Sequence, residues 1–179
     1  MRRRGRFSAR RLTLLAMLSG VALIIFTIEA QLPNIVPIPG VKLGLANIVT
    51  LFALWRLGRR EALAVLITRT LLGALVTGRV VALAYSLSGG MLSLAVCAVL
   101  MPVLKKQIWL CSMVGAVFHN IGQLAAACVI VKSAAVFAYF PILAVSGVVT
   151  GLFTGLGTHF LMPRLERPLD AFLNRNGDS

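Results

Sequence analysis

From Leu12 to Ile28 the chain carries no charged side chain, and long apolar runs of the same kind recur as far as Leu161. As a helix, a seventeen-residue run rises about 25 Å, close to the roughly 30 Å hydrocarbon thickness of a bilayer. The composition agrees: 59% of the residues are hydrophobic and 13% charged, with a mean hydropathy of +0.92. An ordinary soluble domain has about 25% charged residues. The expected class is therefore all-α: a polytopic membrane protein with six transmembrane helices in one bundle. Connections between the runs are too short for a second folded unit. One membrane domain over 12–162 is expected, with a basic segment 1–11 before it and a polar tail 163–179 after it.

The first helix is expected over about Leu12–Ala30, stopped by Pro33, Pro37, Pro39 and Gly40, which together cannot be helical. The basic amino terminus before it superficially matches a signal peptide. The run is long for one, and Ile28-Glu29-Ala30 is a poor cleavage site, so a retained helix is expected. A short second helix, Leu43–Trp55, and a third, Glu61–Thr77, form a hairpin around Arg56-Leu57-Gly58-Arg59-Arg60. Gly78-Arg79 then opens an outer connection that contains Tyr85 and ends at Gly89-Gly90, followed by a fourth helix over Met91–Leu104. The fifth is expected over Trp109–Val131 and the sixth over Val136–Leu161, with Pro141 near its start, where a missing amide is tolerated.

Positive charges set the expected orientation, because loops rich in Lys and Arg stay in the cytoplasm. With both termini inside, fourteen of the eighteen Lys and Arg residues fall on that side, and only Lys42, Arg79 and Lys132 fall outside. The remaining charge, Arg69, sits in the middle of the third helix. A net charge of +13 on a water-exposed face would suggest nucleic acid. Here the charges are dispersed between apolar runs, so the lipid bilayer is the expected partner and nucleic acid is not. Cys97, Cys111 and Cys128 each lie alone in apolar stretches and are expected to be packing residues, with no metal or redox role.

An ionised side chain at mid-membrane costs about 2.5–3.5 kcal/mol on insertion scales and usually faces a cavity or a partner. Counting helical rise from the helix ends places Asn47, Arg69, His119 and Asn120 in one central layer, with Gln123 slightly further out. Glu29, Lys42 and Arg79 form an outer layer, as an ion pair or a gate. Gly115, His119 and Gln123 recur at i, i+4 and i+8, and Ser146, Thr150, Thr154 and Thr158 form a hydroxyl stripe on the sixth helix. Two facing polar stripes either line a pocket or only cross-link helices. The excess of cations over Glu29 favours an anionic ligand. Small residues at helical spacing, Ala16 with Gly20 and Gly147 with Gly151 and Gly155, mark faces for internal packing or for docking on another subunit.

Only five acidic residues occur, and none form the paired aspartates that hold magnesium for diphosphate chemistry. Walker-type, nucleophile-elbow and HExxH sequences are likewise absent. Neither catalysis by this chain alone nor a metal or organic cofactor is expected.

At Pro37-Ile-Pro-Gly-Val-Lys-Leu-Gly-Leu-Ala-Asn-Ile48 and Gly115-Ala-Val-Phe-His-Asn-Ile-Gly-Gln123, the sequence resembles the Gx transporter family. Its members are also labelled heptaprenyl diphosphate synthase component I. The resemblance spans about Leu12–Leu161, and that family is similar to the substrate-binding S components of energy-coupling factor transporters. It implies a six-helix subunit that captures a small vitamin or precursor outside and docks on a transmembrane coupling subunit with two ATPases. It further implies that the segment from Pro33 to Gly40 is a lid, that Ala16 and Gly20 dock on the partner, and that the outer halves of the later helices bind substrate, which His119, Asn120 and Gln123 match by position. Together with the depth of the polar residues, this makes Lys42, Asn47, Arg69, His119, Asn120 and Gln123 the expected substrate-holding set. The prenyl-synthase label implies a different role, a noncatalytic membrane partner of a soluble catalytic subunit in quinone side-chain synthesis. A purely structural assembly subunit or a solitary facilitator is a third possibility.

Overall fold

The structure is a computed structural model that describes residues 9–31, 44–78 and 80–174. Among them the chain is helical, with no strand: α1 (Ala9–Gln31), α2 (Asn47–Arg56), α3 (Arg59–Thr77), α4 (Val80–Leu100), α5 (Ile108–Val131) and α6 (Phe140–Asn174). A 3-10 turn, Ala134–Tyr139, leads into α6. Four stretches, within α1, α4, α5 and the turn with α6, are long and apolar enough to cross a membrane. The two remaining helices differ from these for separate reasons. α2 has ten residues, about 15 Å of rise against roughly 30 Å of hydrocarbon, while α3 is long but carries Arg59, Arg60, Glu61 and Arg69.

Despite its length, α2 lies at the centre of the bundle. Val49, Leu51, Ala53 and Leu54 join Leu15 and Ala22 of α1, Ala62 and Val65 of α3, and Cys97 and Cys111 of α4 and α5 in one apolar core. Gly44 opens the chain into it at φ +69°, a left-handed conformation that favours glycine. Gly58 at φ +122° reverses the chain into α3. Polar links tie one end of the bundle together: Arg11 pairs with Glu61 at 3.2 Å, Trp55 Nε1 donates to Lys105 O at 3.3 Å, and Arg59 donates to Ala98 O at 2.7 Å. The start of α1, the α2–α3 turn and the α4–α5 turn thus share what is here called the basic end.

Two expectations about boundaries change. The outer connection through Tyr85 to Gly89-Gly90 does not exist, because α4 begins at Val80 and runs through both glycines to Leu100. These glycines allow close approach and do not break the helix. A Cβ at Gly89 would stand 2.7 Å from His119 O, and one at Gly90 would stand 2.6 Å from Leu66 Cδ1. Met101–Lys106 forms turns, and Lys105-Lys106 lies beyond the helix and does not close it. The sixth helix, expected to end at Leu161, continues through Pro163 and Pro168 to Asn174. Its extension is fastened at the basic end by an ion pair between Arg56 and Asp170. Met162 and Leu169 also pack with Phe52, Ile108 and Trp55. Thirty-five residues rise about 52 Å, well beyond a hydrocarbon layer.

Candidate functional site: a polar pocket in the bundle

In the half of the bundle away from the basic end, all six helices contribute to one polar pocket. α1 supplies Phe26 and Glu29, α2 Asn47, α3 Arg69 and Thr70, α4 Ser86, α5 Ala116, His119, Asn120 and Gln123, and α6 Thr150 and Thr154. Gly44, just before α2, completes the lining. The cavity volume is about 50 Å³, room for a few waters. Five of the six residues expected to hold a ligand are therefore brought together. The sixth, Lys42, lies outside the described residues, as does Arg79 of the expected outer ion pair, and so does the segment from Pro33 to Gly40.

Arg69 is 4% exposed, and its Nη2 donates to Asn47 Oδ1 at 2.7 Å. Its Nε is buried without a hydrogen-bond acceptor among the described residues. A guanidinium offers five N–H donors in a rigid fork, so the group is equipped to receive an oxyanion. Glu29 is 7% exposed and lines this pocket. Its Oε1 accepts from the backbone N–H of Gly44, in the turn that opens α2. Asn47 is the first residue of α2, so the positive end of a short helix meets the pocket.

The polar stripe on α5 divides by partner. Gly115 packs on Cys97 and Ser93, and His119 and Gln123 both lie against Gly89 of α4. Asn120 faces the other way, its Nδ2 donating to Leu143 O of α6 at 2.6 Å. The amide nitrogen of Asn120 is therefore committed to a helix cross-link, the structural alternative for these side chains. The hydroxyl stripe of α6 is divided as well. Thr150 and Thr154 line the pocket, but all three threonine hydroxyls donate back to carbonyls of their own helix. Thr154 Oγ1 also bonds Ser112 Oγ at 3.0 Å, while Thr158 is fully buried away from the cavity.

A second cavity, about 20 Å³, shares Asn47, Ala116 and Thr154 with the first and reaches towards Thr50, Ser93 and Cys97. Thr50 Oγ1 is buried there with no partner among the described residues. Asn47 and Thr50 lie three residues apart, on one face of α2, which looks into both chambers. Sequence reasoning missed Gly44, Thr50 and Ser86 as lining residues. Ser86 was hidden because its segment reads as a loop, whereas the i, i+3 spacing of Asn47 and Thr50 was a visible signal.

Among the described residues, no three His, Cys, Asp or Glu side chains are grouped to hold a metal ion. Cys97 and Cys111 face each other across α4 and α5, each thiol directed at the other's carbonyl oxygen, at 3.5 and 3.8 Å. No curated protein matches the chain, nor does any solved structure. The model of one family, heptaprenyl diphosphate synthase component I, matches residues 18–161. That span contains every residue that lines the pocket, from Phe26 to Thr154, and the chain belongs to the heptaprenyl diphosphate synthase component I family.

Proposed function

We propose that this chain is a membrane-embedded binding subunit for a small solute carrying an oxyanion, of the S-component kind found in energy-coupling-factor uptake transporters. Buried Arg69, facing a cavity with an unmet donor, carries the reading. Such a charge is expensive in lipid and is retained where it has a ligand or a partner to meet. A 50 Å³ cavity is far below the roughly 300–1,000 Å³ of a drug-sized ligand site, so the pocket as it stands would recognise one polar end of a ligand. The chain would cross a bacterial cell membrane several times with its basic end in the cytoplasm, as the positive-inside rule favours. The pocket would then lie in the outer half, where an uptake protein needs it. The chain would not itself be an enzyme, and energy would come from a coupling subunit and ATPases supplied by other chains. Ala16 and Gly20 suit a docking face for such a partner: Ala16 is exposed, and a Cβ at Gly20 would meet nothing within 4 Å among the described residues.

The family's description favours a second reading, a noncatalytic membrane component of a heptaprenyl diphosphate synthase. Gentle purification followed by mass spectrometry of the small molecules and proteins retained separates the two. A coupling subunit with ATPases and a bound acid supports uptake; a soluble aspartate-rich prenyltransferase supports the synthase role. Arg69→Leu and His119→Ala are expected to lose the retained ligand, and Thr158→Val to keep it. Retention by both core variants at wild-type affinity would overturn the pocket.

A further inference from the structure

We infer that Glu29 is a resident occupant of the oxyanion position in this pocket, a tethered carboxylate that the acid group of an incoming ligand replaces. The inference rests on the proposed binding role and specifies how the site is filled without ligand. Three observations concern one cavity, lined by Glu29, Gly44 and Arg69. Arg69 presents a buried Nε with no acceptor among the described residues. The turn that leads into α2 presents the backbone N–H of Gly44, three residues before the positive end of a ten-residue helix. Glu29, from a different helix, places its carboxylate oxygen on that N–H within the same cavity.

The arrangement follows from the cost of burying charge. A guanidinium that is 4% exposed needs a compensating anion close by, and Glu29 is the acidic residue lining the pocket. Asn47 accepts one Arg69 N–H through Oδ1 but carries no charge. A ligand carboxylate has the same shape and charge as the group now on Gly44, so it can take over that bond while meeting the Arg69 fork, which suits bidentate carboxylate recognition. Withdrawal of the Glu29 side chain would also enlarge a cavity of about 50 Å³ by the volume of that side chain. The expected ligand is thus a small molecule ending in a carboxylate, with a phosphate as the chemical alternative at the same donors.

Chemical rescue tests this on the full chain purified in detergent, using formate as probe against chloride at equal ionic strength. Glu29→Ala vacates the position, and 100 mM formate is expected to raise its thermal midpoint by about 3–6 °C, for a Kd near 10 mM. Wild type, where the position is filled, is expected to shift by less than about 1 °C. The double variant Glu29→Ala with Arg69→Leu is expected not to respond. Should Glu29→Ala fail to fold, Glu29→Gln keeps an acceptor for Gly44 but lacks the charge. It is then expected to respond to formate at concentrations about tenfold below those needed by wild type. Equal responses in wild type and the Glu29 variants would overturn the inference. If Glu29→Ala ignored formate while phosphate still stabilised wild type through Arg69, the inference would fall and the binding role would stand. A double variant that responded as strongly as Glu29→Ala would remove both.

Discussion

Two stripes of small residues with the same four-residue spacing have opposite fates in this molecule. On α6, Gly147, Gly151 and Gly155 are pressed onto α5. A Cβ at Gly151 would lie 2.6 Å from Met113 Cα, and one at Gly155 would lie 2.5 Å from Trp109 Cα. On α1, Gly20 meets no other described residue across its face, with exposed Met17, Val21 and Ile24 around it. Spacing alone says that a backbone can be approached closely; it does not say by what. The α6 stripe has been used up inside the bundle and brings α5 close enough for Asn120 to reach Leu143 O. Among the described residues, nothing packs on the α1 stripe at Gly20.

The comparison predicts a descending series of effects. Gly151→Ala with Gly155→Ala forces the added methyl groups against α5 backbone, which cannot yield as a flexible side chain can. At about 1–3 kcal/mol for each overpacked site, the pair should cost on the order of 4 kcal/mol of stability, measured by unfolding in detergent. Near-wild-type stability there would show that the α5–α6 seam is looser than the glycines require. Arg69→Leu should leave the fold intact but weaken binding of the co-purifying acid roughly 10- to 100-fold, as expected for losing about 1.5–3 kcal/mol of charge-assisted hydrogen bonding. Titration of the variant against wild type checks this.

Smaller effects follow on the remaining contacts. Ser112→Ala removes the partner of Thr154 Oγ1 and should cost about 0.6 kcal/mol, the average for hydrogen bonds between membrane helices. A double-mutant cycle with Thr154→Val measures that term separately from packing. Gly20→Ala should change the stability of the isolated chain by less than about 0.5 kcal/mol. Gly20→Leu should likewise leave the isolated chain folded yet reduce co-purification of any coupling partner. A large loss of stability in either Gly20 variant would mean that the two stripes are not different after all.

Much of the site was legible because the rise of a helix is fixed. Counting residues from the helix ends was enough to set Asn47, Arg69, His119 and Asn120 at one depth, and they share a pocket. Depth does not give direction around a helix. Asn120 lies beside His119 in sequence, yet it turns to α6 while His119 turns to α4. That Glu29 reaches Gly44, fifteen residues along the chain, was not legible, because the path between them is not set by periodicity. Gly89-Gly90 reads as a helix end in water-soluble chains, but in a crowded bundle the same pair permits contact between backbones.

The sequence by itself determined that the chain is helical, with stretches long and apolar enough to cross a membrane and one cation, Arg69, stranded among apolar neighbours, because hydropathy and charge are local properties. Only the tertiary structure decided that α2 is a short helix buried at the centre, that Glu29 and Arg69 share one cavity, and that, among the described residues, one glycine stripe is covered while the other is open. Those facts depend on the angle at which each helix faces its neighbours, which packing fixes and spacing does not.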